Sequence, residues 1–318
     1  KRLLTVIGYT FSNIVRPLTG MATAGWHVLF LRFSDRIGKG VRSAPRDAVI
    51  ADNTPADQRG KAYGYNRSMD HAGAMVGGLI AFLLLNFAGA SIPRIFLLSA
   101  IPGLIAVVLV VVGVGTACDP GCVPVSPPKL SLRPFDRRFR SFLLVLALFT
   151  LGNSADAFLL LRAKELGVPI VQLPLLWIMF HAVKSFSSVP GGVISDRVGR
   201  TRMIVAGWGV YAIVYLGFGF AATALHAWLL FAAYGLYFGL TEGVEKAFVA
   251  DLVPAELRGT AFGMYNFTIG IMALPASLIC GLLWQGWSSS VALGFGAVMA
   301  AAASIALLFI PRTSRRSV

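Results

Sequence analysis

Long apolar runs alternate with short polar breaks along almost the whole chain. Ten runs approach the roughly 20 mostly apolar residues a helix needs to cross a bilayer. They cover residues 3–22, 26–50, 62–86, 92–114, 142–161, 169–194, 203–222, 228–249, 261–284 and 289–310. The longest break, 116–140, holds Pro120, Pro124, Pro127, Pro128 and Pro134 with five basic residues, and reads as a polar linker between two helical groups. The second run is unlike the others. It carries Arg32, Asp35, Arg36, Lys39, Arg42, Arg46 and Asp47. At about 100° per residue these seven fall within an arc of roughly 140°. The opposite face holds Phe30, Phe33, Ile37, Val41, Ala44 and Ala48. A charged stripe of this kind cannot face lipid, so it must face a watery pathway or charges on other helices.

Composition supports a bilayer protein. Of 318 residues, 56% are hydrophobic and only 13% charged, about half the charged share of an ordinary soluble domain. The net charge of +14 is not a nucleic-acid footprint, because its carriers are distributed by topology. Sixteen of the 28 Lys and Arg sit on alternate connections: Lys1 and Arg2, Arg59 and Lys61, the long linker, Arg197 with Arg200 and Arg202, Arg258, and the tail. The opposite connections hold about four. The positive-inside rule places the basic set in the cytoplasm and predicts a multi-pass protein of the inner membrane. Three cysteines make no disulfide framework. Cys118 and Cys122 stand alone in the linker, too few ligands for zinc. With no phosphate loop and no nucleophile motif, the expectation is no metal, no cofactor and no enzymatic activity.

The chain repeats itself. Residues 46–65 match 245–264 at nine of twenty positions, at a constant offset of 199. Both copies run through Ala-Asp, Pro-Ala and Arg-Gly-x-Ala-aromatic-Gly, and Gly8 falls on Gly207. This predicts two related halves: 1–115, a cytoplasmic linker 116–140, and 141–318. By the same offset, the partners of the first two second-half spans would precede residue 1. The sequence is therefore expected to lack two spans at its front. The repeat also pairs the charged second run with the eighth, which offers Glu242, Glu245 and Lys246. The predicted pathway residues are Arg32, Asp35, Arg36, Lys39, Arg46, Glu242 and Glu245. The basic stripe either binds an anionic substrate group or is neutralised by fixed ion pairs.

Four motifs carry a family resemblance. Gly192-Val193-Ile194-Ser195-Asp196-Arg197-Val198-Gly199-Arg200-Thr201-Arg202 resembles the G-x-x-x-D-R-x-G-R-x-R loop of the major facilitator superfamily. Arg32 to Gly40 resembles its fourth-helix R-F-x-x-G-x-G-x-G motif, with Arg36 in place of a glycine. Asp52 with Arg59, and Asp251 with Arg258, resemble its acidic-x6-Arg signature. Gly73-Ala74-Met75-Val76-Gly77-Gly78 resembles the fifth-helix motif of drug–proton antiporters, with Ala74 where proline is expected. The resemblance implies an all-α bundle with ten of twelve helices present. It implies secondary transport of a small solute by alternating access, with proton coupling and drug or metabolite efflux. Organic-anion uptake or exchange, and a non-transporting receptor on the same scaffold, stand as alternatives.

Gating is expected from Asp52, Arg59, Asp196, Arg197, Arg200, Asp251 and Arg258, whose charges can meet an arginine or a helix N-terminus of the other half. Asp70 and Asp156 are the candidate proton carriers. Asp156 has no basic neighbour in the preceding turn, whereas Asp70 lies three residues from Arg67 and can pair locally. The expected partners are substrate, protons and lipid, with the protein a monomer and no nucleic acid bound.

Overall fold

The computed structural model describes residues 2–113 and 132–310, and these contain helices and no strand. Cys118, Cys122 and most of the proline-rich linker lie outside the described residues. Twelve α-helices follow in order: α1 (Arg2–Leu18), α2 (Gly25–Asp52), α3 (Arg59–Asn86), α4 (Ile92–Leu98), α5 (Ala100–Gly113), α6 (Arg137–Gly152), α7 (Ala157–Glu165), α8 (Leu173–Val198), α9 (Arg200–Phe220), α10 (Ala224–Leu252), α11 (Arg258–Gly286) and α12 (Ser289–Leu308).

Two of the ten sequence-derived spans are each built from two helices. In the fourth, α4 stops at Leu98 and α5 starts at Ala100. Pro102 has no N–H to bond the Leu98 carbonyl, so the ladder lapses there. In the fifth, α6 ends at Gly152 and α7 restarts after Asp156, which leaves Asn153, Ser154 and Asp156 on a non-helical step inside the bundle. Eight helical units are long and apolar enough to cross a membrane. The other two spans fall short for different reasons: α1 has 17 residues, and the 28-residue α2 carries the charged stripe.

Local signals explain the helix ends. The Asp136 side chain accepts from Arg137 N–H at the start of α6, Thr223 from His226 N–H at α10, and Ser288 from Val291 N–H at α12, satisfying donors that a helix start leaves open. Between α8 and α9 a single residue reverses the chain. Gly199 has φ 105°, a conformation that side chains disfavour.

Boundaries recur at the offset of 199. The short 3₁₀ turn Ala56–Gln58 before α3 matches Ala255–Leu257 before α11, and Arg59 and Arg258 each begin the helix that follows. α2 and α10 share ends within one residue. The densest packing is in the second half, where Phe149 stacks on Trp208 at 4.4 Å and Tyr211 on Tyr215 at 4.1 Å. Tyr211 also donates to the Gly152 carbonyl at 2.9 Å, which satisfies a carbonyl left free by the break after α6. α3 crosses to pack against α8 and α10, and α2 packs against α11, so the contact between the halves runs along α3 and α2.

Candidate functional site

Two charged layers and one isolated cation lie along this contact. The first layer is at the end of the bundle where the basic connections gather. Arg59 at the start of α3 pairs with Asp251 at the end of α10, 2.6 Å, and Arg258 at the start of α11 pairs with Asp52 at the end of α2, 2.8 Å. The two bridges are the same bridge twice, exchanged between the repeats. Each arginine also reaches a carbonyl one residue before its partner acid, Ala250 and Ala51, at 3.4 and 3.3 Å. Asp196, at the end of α8, accepts from the backbone N–H groups of Gly60 and Lys61, both at 2.9 Å. These are orphan donors at the positive end of α3, where a carboxylate is stabilised. Arg200 ties the layer together. It meets Asp196 at 2.5 Å and Asp251 at 3.2 Å, and donates to Ser195 Oγ at 2.7 Å and the Ala56 carbonyl at 3.1 Å. Arg197 is exposed and is not brought into the cluster.

Glycines permit this approach. A Cβ on Gly60 would strike the Gly192 carbonyl, and one on Gly192 would strike the Gly60 carbonyl. One turn further, a Cβ on Gly64 would strike the Ser188 carbonyl. Such small-residue contacts are how membrane helices bring backbones together.

The second layer lies deeper. Asp47 is fully buried and pairs with Lys246 at 2.5 Å. These residues are 199 apart, so one repeat position carries opposite charges in the two halves. Arg67 meets Glu242 at 3.1 Å, Asp70 at 3.2 Å and Asp47 at 3.9 Å. Arg46 meets Asp70 at 3.5 Å and Asp47 at 3.6 Å. His71 Nε2 lies 2.8 Å from Glu242. Arg46, Arg67 and Lys246 balance Asp47, Asp70 and Glu242, so six charges close into a neutral network. Three of its contacts join the halves: Asp47 to Lys246, Arg67 to Glu242, and His71 to Glu242.

The remaining expected pathway residues divide. Asp35 pairs with Arg16 at 3.0 Å, and Arg42 lies over the Tyr9 ring at 4.3 Å. The Lys39 side chain is exposed, and the side chains of Arg32 and Arg36 lie outside the described residues. Glu242 serves α3 rather than the stripe on α2. Glu245 is buried and meets no cation at ion-pair distance; it accepts from Trp208 Nε1–H at 2.9 Å and from the Tyr265 hydroxyl at 2.8 Å. Asp156 accepts from the Tyr234 hydroxyl at 2.8 Å. The isolated cation is Lys184 on α8, which lies over the Phe238 ring at 3.4 Å and the Phe180 ring at 4.7 Å.

Sequence reasoning underrated Asp47, Lys246, Arg67, His71 and Lys184. A usable signal existed for the first pair. Opposite charges at one repeat position, on helices that both line the contact, are placed to meet.

The family model described as Major Facilitator Superfamily matches residues 1–277 and 142–318. An uncharacterized MFS-type transporter of Methanocaldococcus jannaschii is 32% identical over 316 residues, covering 98% of this chain and 78% of the relative. An uncharacterized protein of Mycobacterium tuberculosis is 25% identical over 289 residues, covering 88% of this chain and 70% of the relative. Among solved structures, the proton:xylose symporter XylE has TM-score 0.75 at 15% identity, covering 98% of this chain and 79% of that one. The human organic anion transporter MFSD10 has TM-score 0.73 at 12% identity, with 96% and 76% covered. The E. coli fucose:proton symporter FucP has TM-score 0.73 at 13% identity, with 98% and 84% covered.

Proposed function

The chain belongs to the major facilitator superfamily, and on that premise we propose that it is a proton-coupled transporter of a small solute, held here with its cytoplasmic side closed. The family makes it a multi-pass membrane transporter. The observation that carries the finer reading is the doubled bridge of Arg59 with Asp251 and Arg258 with Asp52. Two halves that rock about a shared axis need matching latches on both sides of it. A latch of partly exposed ion pairs can break and reform, as a packed apolar seam cannot. The positive-inside rule assigns this end to the cytoplasm of the inner membrane. Asp196 on the α3 N-terminus, with Arg200, completes the latch.

Deeper, the neutral network between α2, α3 and α10 links the halves from just inside the latch toward the middle of the helices. Asp70 is held by two arginines in this network. Among the described residues Asp156 has the Tyr234 hydroxyl as its hydrogen-bond partner and no ion pair, so it is the better proton carrier of the two. The two proton symporters among the structural neighbours favour coupling to protons. The export reading gains nothing from its glycine run, since a Cβ on Gly73 or Gly77 would meet nothing within 4 Å.

The test uses proteoliposomes loaded with a pH-sensitive dye. D-xylose, L-fucose and benzoate are added in turn across an imposed pH gradient. At least one is expected to move protons, and Asp196→Asn and Asp156→Asn should each abolish that movement. Proton flux that is the same with and without every solute would contradict coupling.

A further inference from the structure

Lys184 is a basic side chain that the ion-pair network leaves over. It lies 14 residues from the end of α8 at Val198 and 11 from its start at Leu173, or about 21 and 17 Å at 1.5 Å per residue. That is mid-span. Only 5% of the residue is exposed. Its attracting charges are Glu242 and Asp156, and neither comes within ion-pair distance. Glu242 is taken by Arg67 and His71, and Asp156 by Tyr234. What Lys184 touches is two aromatic rings. Cation–π contacts return only part of what burying an ammonium costs, and among the described residues no acceptor oxygen meets its three N–H donors.

We propose that Lys184 is the recognition point for an anionic substrate, taking the carboxylate of a small monocarboxylic acid whose apolar body lies along Phe238 and Trp177. The proposal rests on the transporter reading and names its substrate class. Three observations select this class. The ammonium is unpaired, so it attracts an anion and repels a cation. Asp156 and Glu242 are close enough to act on the site, so a single negative charge is accepted where a phosphate dianion would be repelled. The neighbours are aromatic: Trp177 lies 5.3 Å from Phe180 and 5.1 Å from His181, ring to ring. Around it, Trp177, His181 and Phe238 are only half-buried. Glu242 also keeps 27% of its side chain open there. The arginine-rich stripe on α2 is a weaker candidate, because Arg46 already meets two carboxylates.

The probe is benzoate, with benzamide as its neutral isostere and benzylamine as its cationic one, titrated calorimetrically into the purified protein. Benzoate should bind, and benzamide and benzylamine should bind at least 10-fold more weakly. Lys184→Met should weaken benzoate at least 10-fold, Lys184→Arg should retain most of the affinity, and Asp156→Asn should tighten it several-fold by removing a competing negative charge. If Lys184→Met fails to fold, the Asp156→Asn and isostere arms still decide. No benzoate binding to the unmodified protein, equal binding of benzamide, or unchanged affinity in Lys184→Met overturns the proposal. The latch measurements below need no ligand, so failure here is distinguishable from failure of the transporter reading.

Discussion

The latch is doubled, and what one of its bridges contributes to closure can be measured. Asp251 holds two arginines, Arg59 at 2.6 Å and Arg200 at 3.2 Å. Its repeat partner Asp52 holds Arg258 at 2.8 Å. Both acids are 29% exposed at the side chain, and the arginines 10–12%. Fully exposed pairs contribute about 0–1 kcal/mol and charge-assisted hydrogen bonds about 1.5–3 kcal/mol, so roughly 1 kcal/mol per bridge suits these partly buried pairs. Of the two bridges to Asp251 only the one from Arg59 joins the halves, so Asp251→Asn should weaken closure by about 1 kcal/mol. With a tenfold change per 1.4 kcal/mol, the open-to-closed ratio rises roughly 5-fold. The assay is spin-label distance measurement between cysteines at Asp57 and Glu256, which are exposed and related by the repeat, with Cys118, Cys122 and Cys280 replaced. A longer-distance population should be larger in Asp251→Asn than in the unmodified protein. No shift would refute the reasoning and leave these charges as topology anchors.

Three further outcomes are expected. Gly64→Ala should enlarge the same open population because its Cβ meets the Ser188 carbonyl, whereas Gly73→Ala, which meets open space, should leave it unchanged. Lys246→Met should destabilise the folded protein by about 3–5 kcal/mol, since it strands Asp47 without its nearest cation; Asp47→Leu with Lys246→Leu should recover much of that in thermal unfolding, and no recovery would mean the pair is not the main term. Cys118 and Cys122 should resist a membrane-impermeant thiol reagent applied to intact cells, and rapid labelling would invert the topology.

Much of the fold was legible because a membrane helix writes its length and polarity directly into the sequence. The apolar runs located the spans, and the repeat foretold the matching helix starts at Arg59 and Arg258. The breaks at Ser99 and at Asn153 to Asp156 were less visible, since hydropathy averages over them. For the site, the residues at the helix ends were found by motif. Their partners were not, because which arginine meets which acid depends on how the halves are rotated. The deeper network was harder still. Arg67 and His71 looked like a local matter of α3, and only the crossing of α3 over α10 turns them toward Glu242. Lys184 is legible as an ionisable residue within an apolar run, but its isolation appears only once every neighbouring carboxylate has been assigned a partner.

The central claim is that one motion opens one end of the bundle as it closes the other. Ala88 and Trp287 are exposed, related by the repeat, and placed at the opposite ends of α3 and α11 from Arg59 and Arg258. Distances across the 57/256 pair and across the 88/287 pair should be recorded in proteoliposomes, for the unmodified latch and for Asp251→Asn. The account predicts that the variant lengthens the first distance and shortens the second, with the two populations changing in equal proportion. Opening at 57/256 with no change at 88/287 would contradict alternating access.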